Sequence, residues 1–364
     1  GDVMIQERCS RVTRNAVGRV AVLTVVAALV AGAAPAETRI SSIPRAPRAD
    51  DGRFLNLAGE IPHAPLSVRL PFFWRRIMGN FRTRSGAARP STAPLRRLEE
   101  LLAGSGDFAY WIGHATVLVR MAGKIFLTDP IWSGAAGPYG RFGAARLAEL
   151  PFGMESLPPI DFVLISHNHY DHLDVPTLTA LAEKNPDLVL IAPLGNSAVL
   201  EDLGASGVET LDWGDTTRRA DLEITCLPVQ HWSRRGPFDA RRGLWSSWAV
   251  NSAEKRFFFG GDTGLFPELA AIGETLGPFD LAALPIGAYE PSAMMKAFHL
   301  NPEETAEAAA MLRSEHVLAV HYGTFDLTDE PLDEPPRRFR AAMARAGRSE
   351  ESVWALPIGD GRTF

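Results

Sequence analysis

The sequence predicts an α/β fold in which two sheets pack face to face with helices on the outside. Two observations indicate this architecture. Apolar runs of strand length occur in two groups along the chain, and helical stretches are interspersed within both groups. A third observation concerns function: residues that commonly bind metals follow several of the strand-like runs directly. No internal repeat is strong enough to suggest a different architecture.

The composition is that of a soluble globular enzyme. The 364 residues allow one large domain or two ordinary ones, and 46% of them are hydrophobic while 22% are charged. Cys9 and Cys226 are the only cysteines in the sequence, and Cys9 lies in a segment that we expect to be outside the folded body. The chain therefore offers no disulfide framework.

The charge is distributed unevenly along the chain. The net charge is −6, yet residues 1–90 contain 14 arginines and 6 acidic residues, a charge of +8 that leaves −14 for the remainder. A basic front end on an acidic body favours contact with an anionic surface, most simply a membrane. A nucleic-acid-binding protein more often carries positive charge around its active face, so we expect no nucleic-acid partner.

Residues 1–36 have the pattern of a secretory signal peptide. Arginines at 8, 11, 14 and 19 precede the apolar run 20–30, and small residues follow it at 31–36. The run is too short to span a bilayer, which takes about 20 residues. We expect cleavage near Ala36, and an uncleaved amino-terminal anchor is the alternative. Either reading predicts an exported or membrane-associated protein, on the periplasmic side in a bacterium.

Residues 37–92 are rich in proline and arginine and show little periodicity, which predicts an extended basic arm rather than a domain. Within this arm, residues 70–78 (LPFFWRRIM) mix bulky apolar side chains with two arginines. They could lie at a lipid interface, so that the arm is the contact with a membrane surface. Alternatively, the aromatic side chains dock on the main domain.

Regular elements are predicted throughout residues 93–364, which we expect to form the main folded domain. Helices are predicted at 94–103, 175–183, 196–203, 267–276, 302–313 and 335–346. Strands are predicted at 108–112, 116–121, 124–128, 161–165, 188–192, 208–211, 222–227, 247–251, 256–259, 281–284, 317–320 and 353–356. Asp174 and Asn301 are suitable residues to cap the helices that follow them.

The stretch 166–174 (SHNHYDHLD) carries the strongest chemical signal. It contributes His167, His169, Asp171 and His172, and it directly follows the apolar run 161–165. Imidazole and carboxylate are common ligands of zinc. Because four such side chains on so short a loop would crowd one tetrahedral ion, two metal ions sharing the loop are favoured. A polar surface turn is the alternative, but a chain with only nine histidines makes that a poor explanation.

Further residues of metal-ligand type follow distant strands. His231, Asp262 and His321 each come directly or shortly after an apolar run. Taken singly, each is better explained as an ordinary loop or turn residue. Together with the first loop, they predict that several strand ends meet at one metal centre.

Several motifs between residues 108 and 326 resemble those of a known family. They are 111–116 (WIGHAT), 126–130 (FLTDP), 166–172 (SHNHYDH), 230–232 (QHW), 244–248 (LWSSW), 260–264 (GGDTG), 287–291 (GAYEP), 299–304 (HLNPEE) and 321–325 (HYGTF). This region resembles the metallo-β-lactamase superfamily. The later motifs resemble, more narrowly, the phospholipase D family that hydrolyses N-acylphosphatidylethanolamine.

The resemblance implies an αβ/βα four-layer sandwich of two mixed sheets with helices outside, and two Zn²⁺ ions per chain at one edge. One zinc would be held by His167, His169 and His231. The other would be held by Asp171, His172 and His321, with Asp262 bridging both ions.

The residues expected at the reaction itself are Asp171, Asp262, His299 and Asp129. Carboxylates beside a metal site commonly orient a ligand, so Asp129 is expected to hydrogen-bond a ligand histidine or the bridging water. A turn residue before Pro130 is the alternative. In the family, the position of His299 lies beside the metals and contacts substrate, with a purely structural histidine as the alternative. His114 is interpreted as mainly structural.

Three tryptophans lie near His231. Trp248 is expected in the core, whereas Trp232 and Trp245 could either line a groove for acyl chains or fill the core.

The leading hypothesis is a dinuclear zinc phosphodiesterase of phospholipase D type, acting on N-acylphosphatidylethanolamine or a related phospholipid. Two metal ions would lower the pKa of a shared water, so that hydroxide attacks the phosphodiester phosphorus at neutral pH. The alternatives are a metallo-hydrolase of another ester, lactone or phosphodiester and, less favoured, a non-catalytic membrane-associated binding protein or regulator. The sequence is also compatible with an oligomer.

Overall fold

A computed structural model describes residues 38–79 and 86–364, all of which belong to one compact unit. The predicted leader, residues 1–36, lies outside the described residues. In the described ranges, no helix combines the length and the apolar character needed to cross a bilayer.

The strands, in chain order, are β1 (Thr38–Arg39), β2 (Phe108–Gly113), β3 (Thr116–Met121), β4 (Lys124–Thr128), β5 (Ala135–Ala136), β6 (Ala144–Ala145), β7 (Phe162–Leu164), β8 (Val189–Pro193), β9 (Gly207–Leu211), β10 (Asp215–Arg219), β11 (Leu222–Leu227), β12 (Ser247–Asn251), β13 (Arg256–Phe259), β14 (Leu281–Pro285), β15 (His316–Val320), β16 (Val353–Trp354) and β17 (Asp360–Thr363). The α-helices are α1 (Leu66–Gly79), α2 (Pro94–Ala103), α3 (Val175–Lys184), α4 (Ser197–Leu200), α5 (Glu268–Leu276), α6 (Ser292–Met295), α7 (Pro302–Met311) and α8 (Glu334–Arg345).

Two mixed sheets form the centre of the described structure, as predicted. One has the order β1-β10-β11-β12-β13-β14-β15-β16, and the other has the order β17-β2-β3-β4-β7-β8-β9. In each sheet, antiparallel pairing on one side changes to parallel pairing on the other, at β13–β14 and at β4–β7. The strands β10, β17 and β1 were not predicted, because their short polar sequences show no apolar run.

Successive side chains along a strand point to opposite faces of the sheet and belong to different hydrophobic clusters. In β2, Ala109 and Trp111 belong to the cluster between the sheets, whereas Phe108 and Tyr110 face the cluster that includes Leu98 of α2. This follows from the two-residue period of a strand. The same division continues in β3 and β7, so that α2 and α3 cover the outer face of one sheet. Apolar residues of α5, α7 and α8 pack with the other sheet.

Helix α7 begins as predicted. The Asn301 side chain accepts a hydrogen bond from the Glu304 backbone at 2.8 Å, and the Glu304 side chain accepts one from the Asn301 backbone at 3.1 Å. This reciprocal capping box satisfies two backbone donors at the helix start. Asp174, by contrast, makes no capping bond, and its carboxylate accepts hydrogen bonds from Ser133 and the Thr177 hydroxyl instead.

The structure differs from the predicted extended arm at α1. Residues 66–79 form a helix even though Pro71 lies inside it. Proline lacks the backbone N–H that an interior helix position donates, which is why the segment did not look helical in the sequence. The short strand β1 also ties the arm to the first sheet by pairing with β10.

Candidate metal centre

The ends of five strands deliver polar residues to one edge of the two sheets. Asp129 follows β4 and the loop 166–174 follows β7 in one sheet. His231, Asp262 and His321 follow β11, β13 and β15 in the other. The centre therefore lies between the two sheets, and it depends on both.

The backbone at this edge is unusual. His114, Asp129 and His321 have φ values of +50°, +34° and +60°, in the left-handed region that residues other than glycine rarely adopt. Such conformations tend to cluster at functional sites, where the surrounding structure enforces them. At Gly261 (φ +57°), an added Cβ would lie 2.7 Å from the Ser166 side chain, so only glycine fits immediately before Asp262.

The first group of ligand-type residues is His167, His169 and His231. The Nδ1 atom of His169 lies 2.8 Å from His167 Nε2 and 3.3 Å from His231 Nε2. All three ligand atoms lie within 4.8 Å of one another. The structure thus brings together the three histidines that the resemblance assigned to one metal.

Their hydrogen bonds fix which ring nitrogens carry protons. His231 Nδ1 is 3.0 Å from the Phe298 carbonyl, which can only accept, so the proton is on Nδ1 and Nε2 presents a lone pair. The Ser166 hydroxyl donates to Asp129, so it accepts a hydrogen bond from His167 Nδ1 at 2.8 Å. His167 Nε2 consequently presents a second lone pair to the same space.

The second group is Asp171, His172 and His321. His172 Nε2 and His321 Nε2 lie 3.2 Å apart, and they are 3.3 and 3.5 Å from Asp171 Oδ2. His114 joins this group, because its Nε2 atom lies 3.0 Å from the same Asp171 oxygen. His114, interpreted from the sequence as mainly structural, therefore also lies at this centre.

Asp262 lies between the two groups. Its Oδ1 is 3.1 Å from His321 Nε2, and its Oδ2 is 3.2 Å from His172 Nε2. Oδ2 is also 4.0 Å from His167 Nε2 and 3.8 Å from His231 Nε2. This carboxylate is therefore placed to touch both groups, as expected for a bridging residue.

Burial keeps the first group neutral. Burial, reinforced by nearby imidazoles, holds the pKa of His167 well below its usual value, and burial lowers the pKa of His169 to about 4. Burial likewise lowers the pKa of His231 well below 6.5. Neutral imidazole is the form that binds a metal ion, so these residues are ready ligands at neutral pH.

Neighbouring carboxylates raise the pKa of two histidines in the second group, His321 and His172. Burial lowers the pKa of His321, but the carboxylates of Asp262 and Asp171 outweigh it and raise the pKa to about 9. For the same reasons, the pKa of His172 lies well above 6.5. Burial raises the pKa of Asp262, but His172 and His321 hold it well below its usual range.

The donor set fits divalent metal ions. Tetrahedral ligands at 2.0–2.1 Å from an ion are roughly 3.3 Å apart, which is close to the spacings found here. The lone pairs of His167 Nε2 and His231 Nε2 both face His169 Nδ1, at 2.8 and 3.3 Å. The carboxylate of Asp262 is buried, and its charge calls for a compensating cation beside it, either a protonated histidine or a metal ion.

Asp129 connects the two groups through the Nδ1 side of their histidine rings, away from the ligand atoms. Its Oδ2 accepts a hydrogen bond from His172 Nδ1 at 2.7 Å and another from the Ser166 hydroxyl at 2.5 Å. Through Ser166 it also orients His167. One buried carboxylate thus holds one histidine of each group, which keeps both Nε2 atoms directed at the centre.

A cavity of about 210 Å³ opens onto these groups. It reaches His169, Asp171, Asp262 and His321, and its walls include the apolar side chains of Phe72, Trp232, Met294, Met295, Phe298 and Leu327. His299 lies on this wall with Nδ1 3.7 Å from Asp262 Oδ2 and without a hydrogen-bond partner. Burial lowers its pKa to about 4, so the ring is neutral and faces the space where a substrate would lie.

The three tryptophans have different positions. Trp248 is fully buried, as expected, and its indole donates to the Ile165 carbonyl just before the metal-binding loop. Trp245 is also buried and donates to Asn56, which places it in the core. Trp232 lines the cavity and packs edge-on against His169.

Comparison with known proteins agrees with this geometry. Residues 124–322 match the family model of the beta-lactamase superfamily domain. The chain is 39% identical over 284 residues to N-acyl-phosphatidylethanolamine-hydrolyzing phospholipase D 1 of Caenorhabditis elegans, covering 74% of this chain and 80% of that protein. It is 29% identical over 250 residues to a metal-dependent hydrolase of Methanopyrus kandleri, covering 68% of this chain and 96% of that protein.

Among solved structures, a metallo hydrolase from the archaeon Ignicoccus hospitalis superposes with a TM-score of 0.55 at 22% identity, covering 71% of this chain and 99% of that chain. At this identity the likeness concerns the fold alone. The chain therefore belongs to the beta-lactamase superfamily, as a metal-dependent hydrolase homologous to the N-acyl-phosphatidylethanolamine-hydrolysing phospholipases D.

Proposed function

We propose that the protein is a dinuclear zinc phosphodiesterase of phospholipase D type that hydrolyses N-acylphosphatidylethanolamine or a related phospholipid. The observation that carries this proposal is the pairing of two ligand groups around Asp262 at the end of an apolar cavity. The homologous protein of Caenorhabditis elegans, by its name, hydrolyses such lipids.

Zinc is the metal that the ligands favour. Five imidazoles and two carboxylates suit a borderline-soft ion better than Mg²⁺ or Ca²⁺, which prefer oxygen. The seven residues that the family resemblance assigns as ligands are enough for two ions but too many for one tetrahedral ion. Two zinc ions per chain are therefore proposed.

The protein's own residues have separable tasks in this proposal. When bound, paired zinc ions would supply an activated water and neutralise charge on the phosphodiester. Asp262 would set the spacing of the two sites, since its carboxylate faces both groups. Asp129 keeps His172 and, through Ser166, His167 in the ligand orientation. His299, neutral and exposed to the cavity, is placed to donate or accept a hydrogen bond with the substrate.

The lining of the cavity supports a lipid substrate. Its apolar wall side chains, such as Phe72, Met294 and Leu327, would cover acyl or glycerol carbons, whereas the ligand-type residues lie close to one another. Such a distribution separates an apolar part of a substrate from a single charged reacting group.

A substrate panel tests the proposed reaction. We expect protein loaded with two zinc ions to convert N-acylphosphatidylethanolamine into N-acylethanolamine and phosphatidic acid, measured by mass spectrometry. Unacylated phosphatidylethanolamine, a simple phosphodiester, a lactone and a carboxyl ester form the rest of the panel. Release of phosphorylated headgroup and diacylglycerol, or turnover confined to the lactone or carboxyl ester, would contradict the phospholipase D assignment.

We further propose that α1 is the part of the arm that meets the membrane surface. Its outward side chains at i, i+4, i+7 and i+8 are Leu66, Leu70, Phe73 and Trp74, all of them exposed, and Trp74 is 64% exposed. Phe72 is buried on the opposite face of the same helix. An exposed apolar stripe beside a lipid cavity suits insertion into the interface between headgroups and acyl chains.

Replacing Leu70 with serine and Trp74 with alanine is expected to weaken binding to phospholipid vesicles by about tenfold or more, because both side chains lose apolar area that would be buried in lipid. Co-sedimentation with vesicles measures this. Turnover of a soluble short-chain substrate should stay unchanged. The matched control is Phe238→Ala, which removes a side chain that is 87% exposed outside the arm. If the control weakens vesicle binding as much as the double variant, α1 is not the membrane contact.

A further inference from the structure

Arg69 of α1 lines the cavity that leads to the metal centre. It is half-buried, and among the described residues no carboxylate forms an ion pair with it. The other two arginines of the helix are both paired. Arg75 lies 2.5 Å from Asp329, and Arg76 lies 2.5 Å from Asp326. Within the part of the chain that the structure describes, Arg69 is thus the one arginine of this helix whose guanidinium has no ion-pair partner.

Those two ion pairs also fix where Arg69 lies. Asp326 and Asp329 belong to the loop after His321, and two residues between them, Leu327 and Thr328, line the same cavity. Phe72, one turn along α1 from Arg69, is buried against the cavity wall. The ion pairs of Arg75 and Arg76 and the buried side chain of Phe72 hold the helix in place, so that Arg69 stays at the cavity.

The remaining charges of the cavity explain what Arg69 would recognise. Asp171 and Asp262 are committed to the ligand groups, so Arg69 is not their counter-ion in a metal-loaded centre. A phosphodiester carries one negative charge shared by two oxygens that are not part of the ester bonds. A guanidinium matches such a pair of oxygens with two parallel hydrogen bonds, whereas a neutral ester or lactone offers no charge to bind.

We propose that Arg69 is a specificity-determining residue that binds the anionic phosphodiester of the substrate. This rests on the proposed function for the reaction, but it concerns recognition of the anion rather than the metal chemistry. It predicts that the cavity selects singly charged phosphodiesters over uncharged molecules of similar shape. It also gives α1 a second task, since the helix that faces the membrane would carry the residue that receives the headgroup phosphate.

Two phosphate esters that differ in charge test the proposed role of Arg69 by binding alone, without turnover. Dihexyl phosphate is a monoanion, and trihexyl phosphate is its neutral counterpart. We expect calorimetry on zinc-loaded wild-type protein to show tighter binding of the anion. Arg69→Gln should weaken binding of dihexyl phosphate by roughly 10- to 100-fold, the range for a lost hydrogen bond between charged groups. Binding of trihexyl phosphate should change less than twofold, and Arg69→Lys should restore part of the affinity for the anion.

Kinetics provide a second measurement. With a dihexanoyl N-acylphosphatidylethanolamine kept below its critical micelle concentration, Arg69→Gln should raise KM by a similar factor and change kcat by only a few-fold. Using a dissolved substrate separates phosphate recognition from attraction to a charged membrane. Arg96→Gln is the matched control, because Arg96 is exposed on α2 and does not line the cavity. It should behave as wild type.

The outcomes distinguish this inference from the proposed function. If Arg69→Gln binds dihexyl phosphate within twofold of wild type, the inference is wrong. It is also wrong if both phosphates lose affinity alike, because that indicates a role in shaping the cavity. If the wild type cleaves no phospholipid but binds dihexyl phosphate through Arg69, the proposed reaction fails and the recognition of the anion stands.

Discussion

Replacing Asp262 with asparagine is expected to lower phosphodiesterase turnover by about 10³-fold or more. Asp262 faces both ligand groups at 3.1–4.0 Å, so its carboxylate is placed to contact an ion in either group. Asparagine keeps the shape but removes the charge that binds the ions. A 10³-fold lower rate corresponds to the loss of about 4 kcal/mol of transition-state stabilisation by the metal ions, because each 1.4 kcal/mol is tenfold in rate. Initial rates and zinc content per chain measure the effect.

The control for this variant is Asp212→Asn. Asp212 is also a buried aspartate, but its carboxylate accepts hydrogen bonds from the Ala46 backbone and from Arg45, outside the metal centre. It should retain turnover and zinc content within a few-fold of wild type. Near-UV circular dichroism should show that Asp262→Asn is folded. Undiminished turnover of the folded Asp262→Asn protein would remove Asp262 from the centre.

Metal removal is expected to abolish turnover and to lower the melting temperature by about 5 to 10 °C. Ions that bind only the folded chain stabilise it by mass action, by about 4 kcal/mol for a site at a thousand times its dissociation constant. For a chain of this size, such free energies correspond to shifts of several degrees. Dialysis against a chelator, followed by differential scanning fluorimetry and the lipid assay, measures both effects.

Restoring the metal supplies the control. Zinc should recover both turnover and melting temperature, whereas magnesium should recover neither, because the seven assigned ligands comprise five imidazoles and two carboxylates. The fold should persist without metal, because its core lies between and outside the sheets rather than at the site. Full activity of chelated, metal-free protein would refute a metal-dependent reaction.

The sequence was most informative where strands end. An apolar strand followed by a histidine or an aspartate is a local pattern, and parallel strands carry such residues to a common edge. This is why His231, Asp262 and His321 were expected beside the loop 166–174 although they are distant in sequence. The same apolar runs also predicted the two sheets, because a strand that is buried on both faces has a continuous apolar sequence.

The sequence was less informative where a role depends on a neighbour. His114 looked like a turn residue, since nothing nearby in the sequence reveals that Asp171 lies 3.0 Å from it. The helix α1 was hidden by Pro71 and by its arginines, two of which are satisfied only by aspartates about 250 residues away. The connection between Asp129 and His167 passes through Ser166, a residue type that carries no metal signal by itself.

The division of the ligands between two sheets has a consequence for how the protein matures. His172 and His321 face each other across a separation of 149 residues, on loops that follow strands of different sheets. A chain that has been synthesised only as far as the loop 166–174 contains four of the ligand-type residues but lacks His231, Asp262 and His321. We therefore expect high-affinity metal binding to follow the packing of the two sheets, because closing so long a loop has an entropic cost that the packed core offsets. Metal insertion would then act as the last step of folding, and premature loading with a competing ion would be weak and reversible.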